Sequence, residues 1–196
     1  IPSREKLVGY ADKARRTVEV STRLALYREL RELDRKDFLW IDPAGGKFSE
    51  RVVFDVPPYQ AIAIPDLVYR RGDSIILIDW KTGRPSPSDR LQMEAGAIWA
   101  RSQPAMKDGS IRALLVYLET GEITDFHVGD DQLRRTAEKI RGDMESMLAY
   151  VEDASTNTPR EKEAFPKVEN RNFCRHCEFQ ELCFNFTAPG VNSPAR

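Results

Sequence analysis

The chain has 196 residues, with 30 Lys plus Arg against 31 Asp plus Glu and 41% hydrophobic residues. This is enough to bury the core of one domain, or of one domain with a small appendage, and it excludes a disordered chain or a fibrous repeat. A formal net charge of −1 excludes bulk cationic attraction as the basis of nucleic-acid or membrane binding and leaves only a local basic groove. No apolar run approaches the ~18 residues that span a bilayer, and no signal-peptide core opens the sequence. The expectation is therefore a soluble, cytoplasmic protein. Its first residue, Ile1, points to residues upstream.

In chain order, residues 3–38 read as one long helix or two shorter ones. Val20, Leu24 and Tyr27, then Leu26, Leu30 and Leu33, recur at helical spacing with charges between them. Pro43-Ala44-Gly45-Gly46 ends that segment. Strands are predicted over 49–56, 61–70 and 74–81, followed by a Gly/Pro/Ser-rich loop over 82–88. Ser88 or Asp89 caps a helix in which Leu91, Ala95 and Ile98 share a face. Residues 111–118 and 123–128 form a hairpin pair around Thr120-Gly121-Glu122. A helix from Asp130 carries the stripe Leu133, Ala137, Ile140, Met144, Met147 and Val151. A polar linker then leads to a cysteine cluster and a loose tail. The organisation is an N-terminal helical segment over 1–48, a core over 49–154, a linker and cysteine module over 155–186, and a flexible tail over 187–196.

The chemistry concentrates in the hairpin Ile62 to Lys81. Gly72-Asp73 suits a two-residue turn with Gly at the position of positive φ. Arg71 then faces Ser74, and counting outward sets Asp66 opposite Asp79, a non-hydrogen-bonded pair with Cα atoms roughly 4.5 Å apart. Alternation puts Lys81 on the face of Asp79. Ile64, Val68, Ile75 and Leu77 line one face and Leu67, Tyr69, Ile76 and Ile78 the other, so the ribbon is central and buried. Opposed buried carboxylates repel and are costly to desolvate. A divalent cation such as Mg²⁺ or Mn²⁺ offsets that cost, keeping its own waters and contacting phosphate. Lys81 is then placed to orient or deprotonate a water, or to stabilise phosphate charge. A plain Asp79–Lys81 ion pair with Asp66 at a strand end is the bland alternative. Glu50 heads the face Val52, Phe54, Val56 as a further candidate ligand, Gln92 lies on the following helix, and Arg84 and Arg90 flank the loop mouth as candidate phosphate contacts.

Pro65-Asp66, the turn, Asp79-Trp80-Lys81-Thr82-Gly83 and Gln92 resemble the PD-(D/E)xK nuclease superfamily. The Asp-Trp-Lys-Thr-Gly run is similar to that of RecB-type nuclease domains and their CRISPR-associated relatives. The resemblance implies an α/β fold with a restriction-endonuclease-like core, a mixed central sheet flanked by helices, and a C-terminal cysteine module. It implies Asp66 and Asp79 as ligands of Mg²⁺ or Mn²⁺, Lys81 as the catalytic lysine and Gln92 as the helix glutamine. It departs from the family twice. The position four residues after the glutamine, often Tyr, is Gly96, and His127 and His176 both lie downstream of where relatives carry a helix histidine.

Cys174, Cys177 and Cys183 have C-x2-C-x5-C spacing, a poor disulfide framework and a better metal or cluster site. In iron–sulfur nucleases of this group, three such cysteines and one upstream cysteine hold a [4Fe–4S] cluster. The fourth ligand is not in this chain. Zinc with His176 and three free thiols packed among Phe173, Phe179 and Leu182 are the alternatives. The expected activity is metal-dependent hydrolysis of DNA, single-stranded ends or flaps, with a helicase, repair or CRISPR protein as partner and no membrane. A nuclease fold retained as a binding module is the rival reading. A small-molecule phosphate enzyme finds no Gly-rich loop in support.

Overall fold

The computed structural model describes residues 3–42, 52–169, 172, 174, 177–180 and 183. It comprises two compact units, 1–144 and 145–196. In the first, helices α1 (Arg4–Arg23) and α2 (Ala25–Glu32) precede strands β1 (Phe38–Ile41), β2 (Val53–Val56), β3 (Tyr59–Ile62), β4 (Leu67–Arg71) and β5 (Ser74–Lys81). Helix α3 (Pro87–Ser102), strands β6 (Ser110–Tyr117) and β7 (Glu122–His127) and helix α4 (Asp130–Leu148) follow. The second unit carries the short strands β8 (Val151–Asp153) and β9 (Thr158–Pro159), and within it Tyr150 stacks on Phe165.

Five strands form a mixed sheet in the order β1-β4-β5-β6-β7, antiparallel except for the β5–β6 pair, which α3 connects. Its centre, β5, is apolar on both sides because it is covered on both sides. Ile75 and Leu77 join Val68, Ile111, Ala113, Leu115 and Tyr117 against α3. Ile76 and Ile78 join Leu67, Tyr69, Leu114 and Val116 against Leu26 of α2. The predicted two-faced hairpin is therefore present, with Arg71 opposite Ser74 and Gly72 at φ +58° in the turn. Helix α4 contributes Leu133, Ala137 and Ile140 to the α3 side.

The structure corrects several element boundaries. The N-terminal helical reading ran to Phe38, but Phe38 to Ile41 is a strand. Four apolar residues do not distinguish helix from strand by period, and the free edge of β4 decides it, through the register Phe38↔Tyr69 and Trp40↔Val68. The single strand predicted over 61–70 is two. It breaks at Ala63 to Asp66, and its first half turns back on β2 as a separate hairpin, Val53↔Ile62 to Val56↔Tyr59, around Pro57-Pro58. The α4 stripe ends early: Met147 is 61% exposed and Val151 opens β8. The cap of α3 is Ser86, two residues before the predicted Ser88 and three before Asp89.

Candidate active site

The sheet ladder between β4 and β5 stops at Leu67↔Ile78, one pair short of the predicted opposition of Asp66 and Asp79. The reason lies at Pro65, which has no backbone N–H to continue the ladder. Strand β1 holds this corner instead: Trp40 Nε1 donates to the Pro65 carbonyl at 2.8 Å, and Asp42 N donates to the Asp66 carbonyl at 2.9 Å. The Trp80 N–H, left facing the end of β4, donates to the Asp66 carboxylate at 2.6 Å. Asp66 is thus aimed at the end of β5. Its carboxyl is pushed above the usual range, first by burial and then by the charges of Asp79 and Asp42; the Trp80 hydrogen bond and Lys81 oppose the shift.

Asp79 is only 4% exposed and lies on the α3 side of β5, where alternation puts Lys81 as well. Gln92 bridges the two. Its Nε2 donates to Asp79 Oδ1 at 2.8 Å, and its Oε1 accepts from Lys81 Nζ at 2.6 Å. Lys81 Nζ also stands 2.7 Å from Asp79 Oδ2, yet that oxygen is buried without a hydrogen-bond partner. It is balanced in charge by the Lys81 ammonium.

Two residues the sequence reading did not assign to the site complete this layer. Asp89, at the third position of α3 and 8% exposed, closes a capping box with Ser86. Its Oδ2 accepts from Ser86 N at 2.9 Å and from Tyr117 Oη at 2.9 Å, and its Oδ1 lies 3.8 Å from Lys81 Nζ. Tyr117, at the end of β6, is pushed up to about 12 by burial and then by the Asp89 carboxylate it bonds. The Ser-x-x-Asp spacing from Ser86 was a readable cap signal. Tyr117 carried none beyond its place at the end of an apolar strand.

The structure brings Asp79, Lys81 and Gln92 into one hydrogen-bonded group, with Asp66 at the same strand end. A cleft of about 230 Å³ opens beside them, with Asp79 and Gln92 on its wall and Ile62, Ile64, Pro65 and Met93 among its lining. Arg84 is exposed in the loop after β5, where Lys13 of α1 anchors the Thr82 carbonyl at 3.1 Å. Arg90 is engaged elsewhere: its Nε donates to Glu94 at 3.0 Å, and its guanidinium lies 4.4 Å over the Phe126 ring. Glu50 lies outside the described residues.

Cys174, Cys177 and Cys183 are free thiols, the first buried and the second exposed. Among the described residues, no group of three or more His, Cys, Asp or Glu side chains gathers around a metal position. The donor set present at β5 is the carboxylate pair, with one buried oxygen that accepts no hydrogen bond. That suits a hard cation that keeps several waters, as Mg²⁺ does.

The five-stranded mixed sheet flanked by helices is a restriction-endonuclease-like arrangement. No curated protein is a significant match to this chain. A family model described as the PD-(D/E)XK nuclease superfamily matches residues 3–184, which spans the strands, Asp66, Asp79-Trp80-Lys81 and Gln92. The chain belongs to the PD-(D/E)XK nuclease superfamily.

Proposed function

We propose that this chain is a divalent-metal-dependent deoxyribonuclease that hydrolyses phosphodiester bonds at single-stranded DNA ends or flaps, as an exonuclease. The observation that carries the reading is Asp79 Oδ2, a buried carboxylate oxygen without a hydrogen-bond partner, beside Asp66, whose carboxyl is raised by burial and by Asp79. Buried polar atoms are otherwise paired, and a cation at this corner would satisfy the oxygen and offset the repulsion between the two carboxylates. Nucleases of this superfamily typically use Mg²⁺ or Mn²⁺. Asp66 and Asp79 would hold the ion, and Glu50 is the candidate third ligand. Such an ion polarises a phosphoryl oxygen and lowers the pKa of bound water.

The chain's own groups then have distinct tasks. Lys81, with a side chain 20% exposed, presents its ammonium to the phosphate or to the attacking water. Gln92 fixes the relative orientation of Lys81 and Asp79 through its two short hydrogen bonds. Arg84 grips a flanking phosphate from the exposed loop. The contribution of Arg90 is indirect, through its pairing with Glu94. Preference for single strands, work in DNA repair, recombination or CRISPR adaptation, and a helicase or repair partner all rest on the RecB-type likeness of Asp79-Trp80-Lys81-Thr82-Gly83. Cys174, Cys177 and Cys183 are proposed as three ligands of a [4Fe–4S] cluster completed from outside this chain. Free thiols of this kind suit a reducing cytoplasm.

The test is incubation with single-stranded DNA labelled at the 5′ or the 3′ end, with Mn²⁺ or Mg²⁺. Cleavage should vanish with EDTA and fall about 10²- to 10⁴-fold in Lys81→Ala, the range for a positioned acid–base or electrostatic group. The label pattern gives the polarity. Failure to bind Mn²⁺ as well as to cleave favours the rival reading, a nuclease fold that serves as a binding module.

A further inference from the structure

The oxygen that a metal ion needs is the one beside which Lys81 now stands. Lys81 Nζ is 2.7 Å from Asp79 Oδ2, and a divalent ion bound at that oxygen would be within a few ångströms of the ammonium. At such separation the repulsion between the two cations is large even in a well-screened site. Metal at Asp79 Oδ2 and the present position of Lys81 therefore disfavour each other, and a second anionic seat would keep Lys81 in the site.

One is within reach. Asp89 Oδ1 is 3.8 Å from Nζ, too far for a hydrogen bond and close enough to be reached by rotation about the lysine's terminal bonds. Asp89 itself is held: Tyr117 Oη and Ser86 N both bond its Oδ2 at 2.9 Å, so the flexible lysine is the partner that moves. Gln92 Oε1, 2.6 Å from Nζ, can stay bonded during the transfer and serve as its pivot. The neutral alternative of releasing Lys81 to solvent would leave Asp89 a buried carboxylate without a neighbouring cation, which is costly.

We infer that Asp89 is the second seat of Lys81: metal entry at Asp79 transfers the ammonium from Asp79 Oδ2 to Asp89 Oδ1. Asp89 is thereby a positioning residue that acts through Lys81, and it tunes metal affinity by offering the displaced charge a place to go. This rests on the proposed metal-dependent nuclease reading.

The test measures Mn²⁺ affinity of the whole chain without DNA, by the electron paramagnetic resonance signal of free Mn²⁺. The proteins are wild type, Asp89→Asn, Lys81→Met and the double variant. Asn keeps an oxygen for Ser86 N and Tyr117, so the α3 cap persists, but it removes the charge that receives Lys81. Lys81→Met should tighten Mn²⁺ binding about tenfold by removing the competing cation. Asp89→Asn should weaken binding about threefold to tenfold when Lys81 is present, and by less than about twofold in the Lys81→Met background, a coupling that independent sites do not show. Equal weakening in both backgrounds would mean that Asp89 acts only as a remote charge or a helix cap, and would overturn the inference. So would no weakening beside Lys81.

A second measurement does not depend on any variant folding. In a crystal structure with Ca²⁺ bound, Lys81 Nζ should lie within hydrogen-bond distance of Asp89 Oδ1, and an ammonium still on Asp79 Oδ2 overturns the transfer. Failure of both wild type and Lys81→Met to bind Mn²⁺ would overturn the metal-dependent reading together with this inference. Metal binding without the coupling would overturn this inference alone.

Discussion

Replacing Leu77 by Ala should unseat the helix that carries Gln92. Leu77 is fully buried at the centre of β5, facing α3, and a methyl group built on Gly96 of that helix would meet Leu77 Cδ2 at 3.4 Å and Pro65 Cγ at 3.6 Å. Gly96 thus marks a close approach of α3 to β5, one helical turn beyond Gln92. Truncating a fully buried leucine costs about 3 kcal/mol, transfer and cavity terms together. For a chain of this size that lowers the thermal midpoint by about 6–12 °C. The structure also specifies a second-site rescue. In the native background Gly96→Ala gains about 1 kcal/mol of helix propensity but tightens an already close contact, so the net change should stay within about 0.5 kcal/mol. In the Leu77→Ala background the new methyl enters vacated space, and about 1–2 kcal/mol should be recovered. Thermal and urea unfolding of the four proteins measures the cycle. If Gly96→Ala has the same effect in both backgrounds, within the ~0.3–0.5 kcal/mol expected of independent sites, then Gly96 and Leu77 do not abut and the described seating of α3 is wrong.

Asp66 offers a pH test. Its carboxyl lies above the ordinary value of 3.8 because of burial, then the Asp79 and Asp42 charges. The native state therefore holds this proton more tightly than the unfolded chain, and stability falls as pH rises from 3.8 through the raised value. Asp66→Asn, which keeps an oxygen for Trp80 N–H, should raise the thermal midpoint at pH 7 and give no gain below pH ~3.8; an equal gain at both would sink the assignment. Tyr117→Phe strips Asp89 of one hydrogen bond and should cost about 1.5–3 kcal/mol at neutral pH, read by urea unfolding. In the wild type, the stability contributed by Tyr117 should be lost as pH rises from its ordinary value of 10 through about 12, with phenolate absorbance as the readout. Gly109→Ala would drive a methyl to 2.6 Å from Ile75 Cγ1 and 3.0 Å from the Asp73 carbonyl, a cost of about 1–3 kcal/mol. Gly142→Ala, with open space around it, should instead stabilise by about 1 kcal/mol, and the contrast in melting temperature checks both.

Much of the hairpin was legible because its signals are local. Gly72-Asp73 sets the turn, turn length sets register, and a period of two then assigns every side chain from Leu67 to Lys81 to a face. The same arithmetic put Asp79 and Lys81 together, and the short loop from β5 to α3 brought Gln92, near the helix start, within reach of both. Counting failed only at its end, where it extended the ladder to Asp66. Pro65 and strand β1 bend the chain away there, so the Asp66 carboxylate meets the Trp80 N–H at 2.6 Å and forms no cross-strand pair. Glu50 is outside the described residues and stays a sequence-level candidate.

By itself, then, the sequence determined the alternating faces of β4 and β5, the turn between them, and that Asp66, Asp79, Lys81 and Gln92 share one end of the sheet, since these follow from one hairpin and the helix directly after it. The tertiary structure alone decided that Phe38 to Ile41 is an edge strand, because a four-residue apolar run takes its conformation from the open edge it finds. It alone joined Tyr117 to Asp89, 28 residues apart, because the parallel β5–α3–β6 crossover brings the end of one strand beneath the start of the helix that precedes it. And it alone left Asp79 Oδ2 buried without a hydrogen bond, since that depends on how the Lys81 ammonium meets it, which no spacing along the chain encodes.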